Sequence, residues 1–363
     1  MKHIPALLCA ALLPLAASAI KPSEMLPHDA SSLPVTGTLA PDATKKYSRL
    51  PDSMKTQVRE AVWNLGQNSA GMAVRFRSDA SAIGAQWKSL NRFSMNHMTP
   101  TGIRGLDLYT LADDSTWTFV GPGRPKMNSS HNADCIMQDM TPRMHEYMLY
   151  LPLYDGVDSI YILTDSAASV LPPAVNLPRQ DKPMVMYGTS ILQGGCASRP
   201  GMVHTSIIGR MFNRDVINLG FSGNARLDPE IATLMAQADA SVYVLDVLPN
   251  CTADILDERL EQFVAILRAH RHDTPILLIE SPMFPAARFS NEVATTLTHK
   301  NDVLRNIYRR LASADPHIYY MTAERTLDDM EATVDNYHYT DLGFSKFAEA
   351  MRPVLETILR PAD

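Results

Sequence analysis

Two stretches of the sequence carry residue types that could together perform acyl transfer. Ser190 follows an apolar run and precedes a glycine pair in MYGTSILQGG, and Asp335 lies three residues before His338 in VDNYHYTDLGF. A serine hydroxyl is a poor nucleophile until a neighbouring base takes its proton. Imidazole titrates near neutrality, and a carboxylate can orient it and stabilise its cation. The pattern therefore predicts Ser190 as the nucleophile, His338 as the base and Asp335 as the residue that orients the base.

Two further stretches could supply the hydrogen-bond donors that this chemistry needs. NLGFSGN contains Gly220, and LPN ends in Asn250. Attack on an ester creates an oxyanion, and we expect the N–H groups of Ser190 and Gly220 and the side-chain amide of Asn250 to stabilise it. Arg199 and Arg226 lie close in sequence to these stretches, so they are candidates for binding the substrate or, equally, for structural ion pairs.

Each of these residues also has an ordinary structural explanation, since a serine after a strand usually caps a helix. A phosphate-binding loop is excluded because the chain has neither GxxxxGK[ST] nor GxGxxG. Cys135, Cys196 and Cys251 show no CxxC spacing, so we expect no metal site and no cofactor. In an oxidising compartment Cys196 and Cys251 could form a disulfide that leaves Cys135 free.

The elements that must position these residues alternate along the C-terminal half. Apolar runs at 184–188, 216–221, 241–248, 276–281 and 318–322 are separated by longer stretches with helical spacing. Such alternation predicts a flavodoxin-like, doubly wound parallel sheet, which places its sites at the carboxyl ends of the strands. The candidate serine, glycine and asparagine all follow such runs.

The preceding part of the chain has a different pattern. Short stretches of alternating apolar and polar residues, separated by turn residues, predict a β-sandwich or jelly roll. A stretch rich in Pro, Ala and Ser then predicts a linker. The expected organisation is a signal peptide at 1–19, a β-sandwich at 20–163, a linker at 164–182 and an α/β domain at 183–363.

The N-terminus and the charge balance restrict location and partners. A basic start, an apolar run and Ala-Ser-Ala ending at Ala19 are typical of a cleaved secretory signal, so we expect a periplasmic or secreted protein. No other stretch is long and apolar enough to span a membrane. The net charge is −6 and no basic block stands out, which argues against a nucleic-acid partner.

The four chemical stretches resemble the four blocks of the SGNH/GDSL hydrolases, in the same order, over roughly residues 183–360. In that superfamily the blocks supply Ser, Gly, Asn and His. Here the first block reads GTS rather than GDS, Cys251 replaces the usual Asp, and Tyr339 stands where Pro is common. GLDLY at 105–109 resembles the GxDLY signature of a β-rich domain that precedes the hydrolase domain in one subset.

The resemblance implies an exported serine esterase that removes short acyl groups, acetyl above all, from carbohydrate. One alternative is a lipase or phospholipid acylhydrolase, which would need a large apolar cleft. Another is a catalytically inert carbohydrate-binding protein. The blocks themselves offer no contiguous apolar lining, so we expect a shallow site open to a polymer, with the β-rich domain forming one wall.

Overall fold

The computed structural model describes residues 19–40, 45–326 and 329–360. The predicted signal peptide therefore lies outside the described residues, except for Ala19. Within the described part, no helix has the length and apolar character needed to cross a membrane.

Two antiparallel sheets make up the N-terminal half. The first has the order β1-β9-β4-β7, and the second has the order β10-β3-β8-β5-β6, with β2 also paired to β3. Alternate residues of both sheets, such as Phe76 and Trp87, meet in one shared core, which is the packing of a sandwich. The strands are β1 (Leu26–Asp29), β2 (Val35–Thr36), β3 (Ala73–Ser78), β4 (Ile83–Ser89), β5 (Leu106–Leu111), β6 (Trp117–Gly123), β7 (His131–Met137), β8 (His145–Tyr150), β9 (Val157–Thr164) and β10 (Val170–Leu171).

The C-terminal half is a five-stranded sheet in which every neighbouring pair is parallel. Its order, β12-β11-β13-β14-β15, is the flavodoxin-like arrangement that the sequence predicts. The strands are β11 (Arg179–Gly188), β12 (Arg214–Gly220), β13 (Val242–Asp246), β14 (Ile276–Ile279) and β15 (Ile318–Met321). The segment predicted as a linker thus contains β10 and the first residues of β11.

Eight α-helices accompany the sheets in the described residues. They are α1 (Glu60–Gly66), α2 (Pro100–Arg104), α3 (Ser190–Gln193), α4 (His204–Phe212), α5 (Pro229–Gln237), α6 (Ala253–His270), α7 (Asn291–Ala314) and α8 (Asp341–Ile358). Side-chain oxygens of Thr252, Ser290 and Thr340 accept N–H groups in the first turns of α6, α7 and α8. These caps satisfy amides that have no helical acceptor, and so fix where each helix begins.

Helices cover both faces of the parallel sheet. One core contains Leu245 with Leu260 and Phe263 of α6, and the other contains Val244 with Phe344 and Phe347 of α8. Because both faces are buried, each strand contains a nearly continuous apolar run rather than an alternating pattern. The layers leave the carboxyl ends of the strands as the edge where polar side chains can gather.

A buried arginine joins the N-terminal half to the strand that carries the NLGFSGN stretch. The guanidinium of Arg49 donates to the carbonyl oxygens of Asn218 and Gly220 in β12, and to those of Leu65 and Asn68. Its side chain is almost fully buried, and burial lowers its pKa to about 9. Through these four hydrogen bonds, Arg49 links the backbone at residues 65 and 68 to the end of β12.

The GLDLY stretch also joins the two halves. Asp107 of β5 is buried, and its carboxylate accepts from the Arg199 guanidinium at 2.6 Å and from the Gly201 N–H at 2.8 Å. Arg199 also donates to the Tyr109 hydroxyl at 2.8 Å. The Asp and Tyr of this signature therefore anchor the segment that follows α3.

Candidate active site

Ser190 lies at the carboxyl end of β11, as the sequence predicts. The strand ends at Gly188, and Thr189 caps α3 by accepting the Ile191 N–H with its hydroxyl. Ser190 is the first residue of that helix, so its N–H has no helical acceptor four residues back. The turn therefore presents both the hydroxyl and the backbone N–H of Ser190 at the edge of the sheet.

His338 and Asp335 form a chain of hydrogen bonds with Ser190. The distance from Ser190 Oγ to His338 Nε2 is 2.8 Å, and that from His338 Nδ1 to Asp335 Oδ2 is also 2.8 Å. Asp335 Oδ1 accepts the backbone N–H groups of Tyr337 and His338. Burial raises the pKa of Asp335, but the hydrogen bonds from His338 outweigh it and hold that pKa below its ordinary value. The carboxylate thus stays ionised beside the imidazole.

The loop that carries His338 is fixed at both ends. His338 O accepts the Val334 N–H, and Ala332 O accepts the Thr340 N–H. Asp341, the first residue of α8, accepts the Ser198 N–H at 2.9 Å and also bonds its hydroxyl. These contacts tie the histidine loop to the segment after α3, so the nucleophile and the base are held by a common set of bonds.

The glycine pair after Ser190 makes room for the imidazole. A Cβ at Gly195 would lie 3.1 Å from His338 Cδ2 and 2.8 Å from the Tyr154 hydroxyl. Gly194 has φ +109, a conformation that L side chains rarely adopt, and its N–H closes the short helix on Ser190 O. The pair therefore ends α3 within one turn and leaves space for His338 above it.

Asn250 follows β13 and is oriented for donation. Its Oδ1 faces the Ala225 N–H at 3.3 Å, and because a backbone N–H can only donate, this bond fixes which end of the amide is the oxygen. The Nδ2 end remains as a donor, and its role in oxyanion binding stays a prediction.

Gly220 is not placed to bind an oxyanion, which corrects the sequence-based prediction. Its N–H donates to Asn218 Oδ1 at 2.9 Å. A Cβ there would approach the Gln193 backbone nitrogen to 2.2 Å, so this glycine allows β12 to pack closely on α3. The prediction chose the wrong glycine of NLGFSGN because the two cannot be distinguished by residue type.

Gly223 is the candidate donor that we propose in its place. In the fully described segment 220–225, five amides donate to protein acceptors and only the Gly223 N–H has none. Gly223 has φ +68, and a Cβ there would meet no atom within 4 Å, so the residue faces open space. Ala225, two residues further on, donates its N–H to Asn250 Oδ1, so the Gly223 turn is tied to the residue that carries the other candidate donor.

The two arginines proposed for substrate binding have different surroundings. Arg199 is engaged by Asp107 and Tyr109, and its guanidinium lies 3.7 Å from the Phe119 ring centroid. This is the structural ion pair that the sequence left open. Arg226 is exposed and bonds only weakly, at 3.4 Å, to Gly223 O. A substrate contact stays a prediction for both residues, and the surroundings favour Arg226.

The N-terminal half contributes two side chains to this site. Tyr154 donates its hydroxyl to Ser190 O at 3.1 Å. His97 lies with its ring centroid 5.8 Å from that of His338. The ligand-type atoms of His97, Cys196, Asp335 and His338 all lie within 4.8 Å of one another, so these side chains could hold a metal ion. These contacts agree with the expectation that the β-rich part forms one wall.

The three cysteines of the described residues, Cys135, Cys196 and Cys251, are free thiols, so Cys196 and Cys251 are not joined by a disulfide. Cys251 Sγ donates to Ala225 O, while Cys196 is buried beside Asp335. Burial, together with the Asp335 charge, raises the pKa of Cys196 to about 12. The two thiols therefore have separate environments in the site.

A parallel α/β sheet that presents a serine, a histidine and a carboxylate in one hydrogen-bonded chain defines a serine hydrolase. Family models agree. The model of the GDSL-like lipase/acylhydrolase family matches residues 181–356, and the GxDLY model, the N-terminus of the SGNH-hydrolase-type esterases, matches residues 26–170. Residues 181–356 therefore form a GDSL-like lipase/acylhydrolase domain, which a GxDLY-type N-terminus precedes at residues 26–170. It is a serine ester hydrolase.

Solved structures show similar architectures. A Bacteroides ovatus protein described as a GDSL-like lipase is 29% identical, with a TM-score of 0.87 over 92% of this chain and 98% of that one. The salicylyl-acyltransferase SsfX3 of a tetracycline biosynthetic pathway shares 16% identity and a TM-score of 0.71, with the same coverage. A family two carbohydrate esterase from Cellvibrio japonicus shares 12% sequence identity and a TM-score of 0.58, over 92% of this chain and 98% of that one. A comparison with curated proteins found no match.

Sequence reasoning missed three residues of the site. Tyr154 and His97 lie far from the four blocks in sequence, and no local pattern distinguishes them from core or surface residues. Gly223 lies in the NLGFSGN stretch. A turn predicted at FSGN would have favoured Gly223 over Gly220, which ends a strand.

Proposed function

We propose that the protein is an exported esterase that removes short acyl groups, acetyl above all, from carbohydrate by a Ser-His-Asp mechanism. The observation that carries the proposal is the pair of 2.8 Å hydrogen bonds joining Ser190, His338 and Asp335. Export rests on the signal peptide predicted at residues 1–19. The carbohydrate and acetyl assignments rest on the resemblance and on the character of the site.

In the first half-reaction Ser190 Oγ attacks the ester carbonyl carbon while its proton passes to His338 Nε2. Asp335 stabilises the imidazolium through Nδ1–H. The N–H groups of Ser190 and Gly223 and the Asn250 amide bind the developing oxyanion. Collapse expels the alcohol, which takes the proton from Nε2. Water, activated by the same imidazole, then releases the acid from the acyl-serine.

The surface beside the histidine suits a sugar. Tyr337 is 40% exposed, and its ring packs at 5.3 Å on that of the buried Phe284. A fixed, exposed aromatic ring next to the base offers an amphipathic face on which a pyranose could stack. The family two carbohydrate esterase of Clostridium thermocellum, a structure with a similar fold at 12% identity, was solved with cellohexaose.

Chain-length dependence tests the substrate class. The mature protein, with its N-terminus read by mass spectrometry, is assayed on nitrophenyl esters from acetyl to octanoyl and then on acetylated oligosaccharides. We expect kcat/KM to fall steeply with chain length. Each further methylene could add about 0.8 kcal/mol of binding, but only where an apolar pocket receives it.

The nucleophile is tested in the same assay. Ser190→Ala should abolish turnover and leave the melting temperature unchanged, because a single hydroxyl carries the covalent step. Full activity in this variant would refute the mechanism. A maximum at eight carbons would favour the lipase alternative, and no turnover of any ester by the wild type would favour an inert binding protein.

A further inference from the structure

Four side chains beside the nucleophile form a cluster that the proposed reaction does not fully use. Asp335 and His338 belong to the hydrogen-bonded chain, whereas His97 and Cys196 have no part in it. One ligand-type atom from each lies within 4.8 Å of the others. Around a tetrahedral Zn²⁺, with bonds of about 2.0 Å to nitrogen and 2.3 Å to sulfur, neighbouring ligand atoms lie about 3.5 Å apart. Shifts of less than about 1 Å would therefore close the cluster on an ion.

The cluster is assembled from three separate segments that other contacts hold in place. His97 follows β4, and its segment is docked where Thr99 and Thr101 donate to Ser198 O at 2.7 and 2.6 Å. Cys196 follows α3 and has φ +72, a conformation that non-glycine residues rarely adopt. Such strain persists only where the surroundings impose it. The Cys196 side chain is thereby held beside the histidine loop.

The donor types point to a metal of intermediate softness. Two imidazoles, one thiolate and one carboxylate form a mixed set that Zn²⁺ accepts and that Ca²⁺ or Mg²⁺, which prefer oxygen, do not. The thiol of Cys196 would give its proton to solvent on binding. Its thiolate and the Asp335 carboxylate then balance the two positive charges of the ion.

We propose that His97, Cys196, Asp335 and His338 form a Zn²⁺ site whose occupation switches the esterase off. The inhibitory part rests on the proposed function, whereas the binding part does not. Both ring nitrogens of His338 are engaged, Nε2 by Ser190 and Nδ1 by Asp335. Coordination through either nitrogen therefore breaks one of the two hydrogen bonds on which the mechanism depends.

Direct titration tests the binding. The full mature chain is dialysed against EDTA, and ZnCl₂ is then titrated in competition with a chromogenic chelator. We expect a single tight site in the wild type. His97→Asn and Cys196→Ser should each weaken binding at least tenfold, because loss of even a supporting group near a metal costs about 10- to 100-fold.

Matched variants separate the cluster from other ligands. His299→Asn alters an exposed histidine of α7, and Cys135→Ser alters the more accessible thiol of β7, so both should bind Zn²⁺ as the wild type does. Ser190→Ala should also retain the site, since the serine is not a ligand. Undiminished affinity in His97→Asn, or no tight site in the wild type, would overturn the proposal.

Inhibition is measured separately, relative to the metal-free rate of each variant. Zn²⁺ should inhibit the wild type and EDTA should restore it, while His97→Asn should need at least tenfold more Zn²⁺ for the same inhibition. Binding without inhibition would overturn the switch. If the wild type hydrolyses no ester, the proposed function fails, and the titration still decides whether the metal site exists.

Discussion

At the scale of single residues, the two ends of the Asn250 amide have different tasks. Oδ1 fixes the turn by accepting the Ala225 N–H, and Nδ2 is left to donate. Asn250→Asp keeps the acceptor and removes the donor, so it separates local structure from oxyanion binding. We expect kcat to fall about 10²- to 10³-fold, as on loss of one oxyanion donor. Steady-state kinetics and thermal melting check this.

Asn250→Ala provides the comparison. It removes both the acceptor and the donor, so it should lower both kcat and the melting temperature. A wild-type kcat in Asn250→Asp would exclude the side chain from the oxyanion site and leave the two backbone amides, Ser190 and Gly223, as its donors.

The same scale shows what residue types alone can and cannot predict. Ser190, His338, Asp335 and Asn250 could be named because each stands in a recognisable block, and the structure joins the first three in one hydrogen-bonded chain. The choice between Gly220 and Gly223 depends on which amide is already bonded, which residue type does not encode. His97 and Tyr154 reach the site by tertiary packing alone, so no pattern near them in sequence signals their position.

At the scale of elements, the ion pair between Asp107 of β5 and Arg199 after α3 is a test of what the GLDLY signature does. Desolvation raises the pKa of Asp107 to about 6, although Arg199 opposes the shift. Asp107→Ala leaves the guanidinium largely buried and unpaired, so it should destabilise the protein by about 3–5 kcal/mol. Denaturant unfolding measures the loss.

The paired variant distinguishes structure from substrate binding. Asp107→Leu combined with Arg199→Met replaces the pair with apolar residues and should recover most of the stability, since such replacements are often neutral. If Arg199 also contacts the substrate, the double variant should show a raised KM for acetylated oligosaccharides although its stability is recovered. That result would support the substrate role predicted from sequence.

Helices and strands could be predicted from the sequence where burial gives their residues a regular apolar pattern. All five strands of the parallel sheet contain an apolar run because both faces of the sheet are buried. The helices α4 to α8 show apolar residues at helical spacing because one face of each packs on a core. β7 (His131–Met137) has no clear alternating pattern, because it lies at the edge of its sheet, is half exposed and mixes three polar with four apolar residues. α3 was missed because four residues are too few to establish a period.

At the scale of the whole molecule, two buried titratable groups give stability opposite dependences on pH. His204 is buried between Phe344 and Phe347 with neither ring nitrogen bonded, and burial lowers its pKa to about 3. Asp246, at the end of β13, has its pKa raised by burial to about 7. Unfolded, the two groups titrate near about 6.5 and 3.9.

Each group changes the stability with pH in a direction set by whether the folded or the unfolded chain binds its proton. Below about pH 6.5 the unfolded chain protonates His204 and the folded chain does not, so this residue costs stability as pH falls toward 3. Between about pH 4 and 7 the folded chain keeps the Asp246 proton and the unfolded chain loses it, so that residue costs stability as pH rises. From pH 5.0 to 7.5 the two contributions therefore oppose each other.

Substituting each residue should separate the contributions of His204 and Asp246 to the pH dependence of stability. His204→Leu removes the loss on the acid side, so the unfolding free energy at pH 7.5 minus that at pH 5.0 should become smaller than in the wild type. Asp246→Asn removes the loss on the neutral side, and the same difference should become larger. His299→Leu, at an exposed position of α7, should leave it unchanged. Urea unfolding at both pH values gives this free-energy difference for each variant. Each unit of pKa change between the folded and unfolded states contributes about 1.4 kcal/mol, with a sign fixed by its direction. If His204→Leu and Asp246→Asn changed the difference in the same direction, the two groups could not have the opposite effects assigned to them.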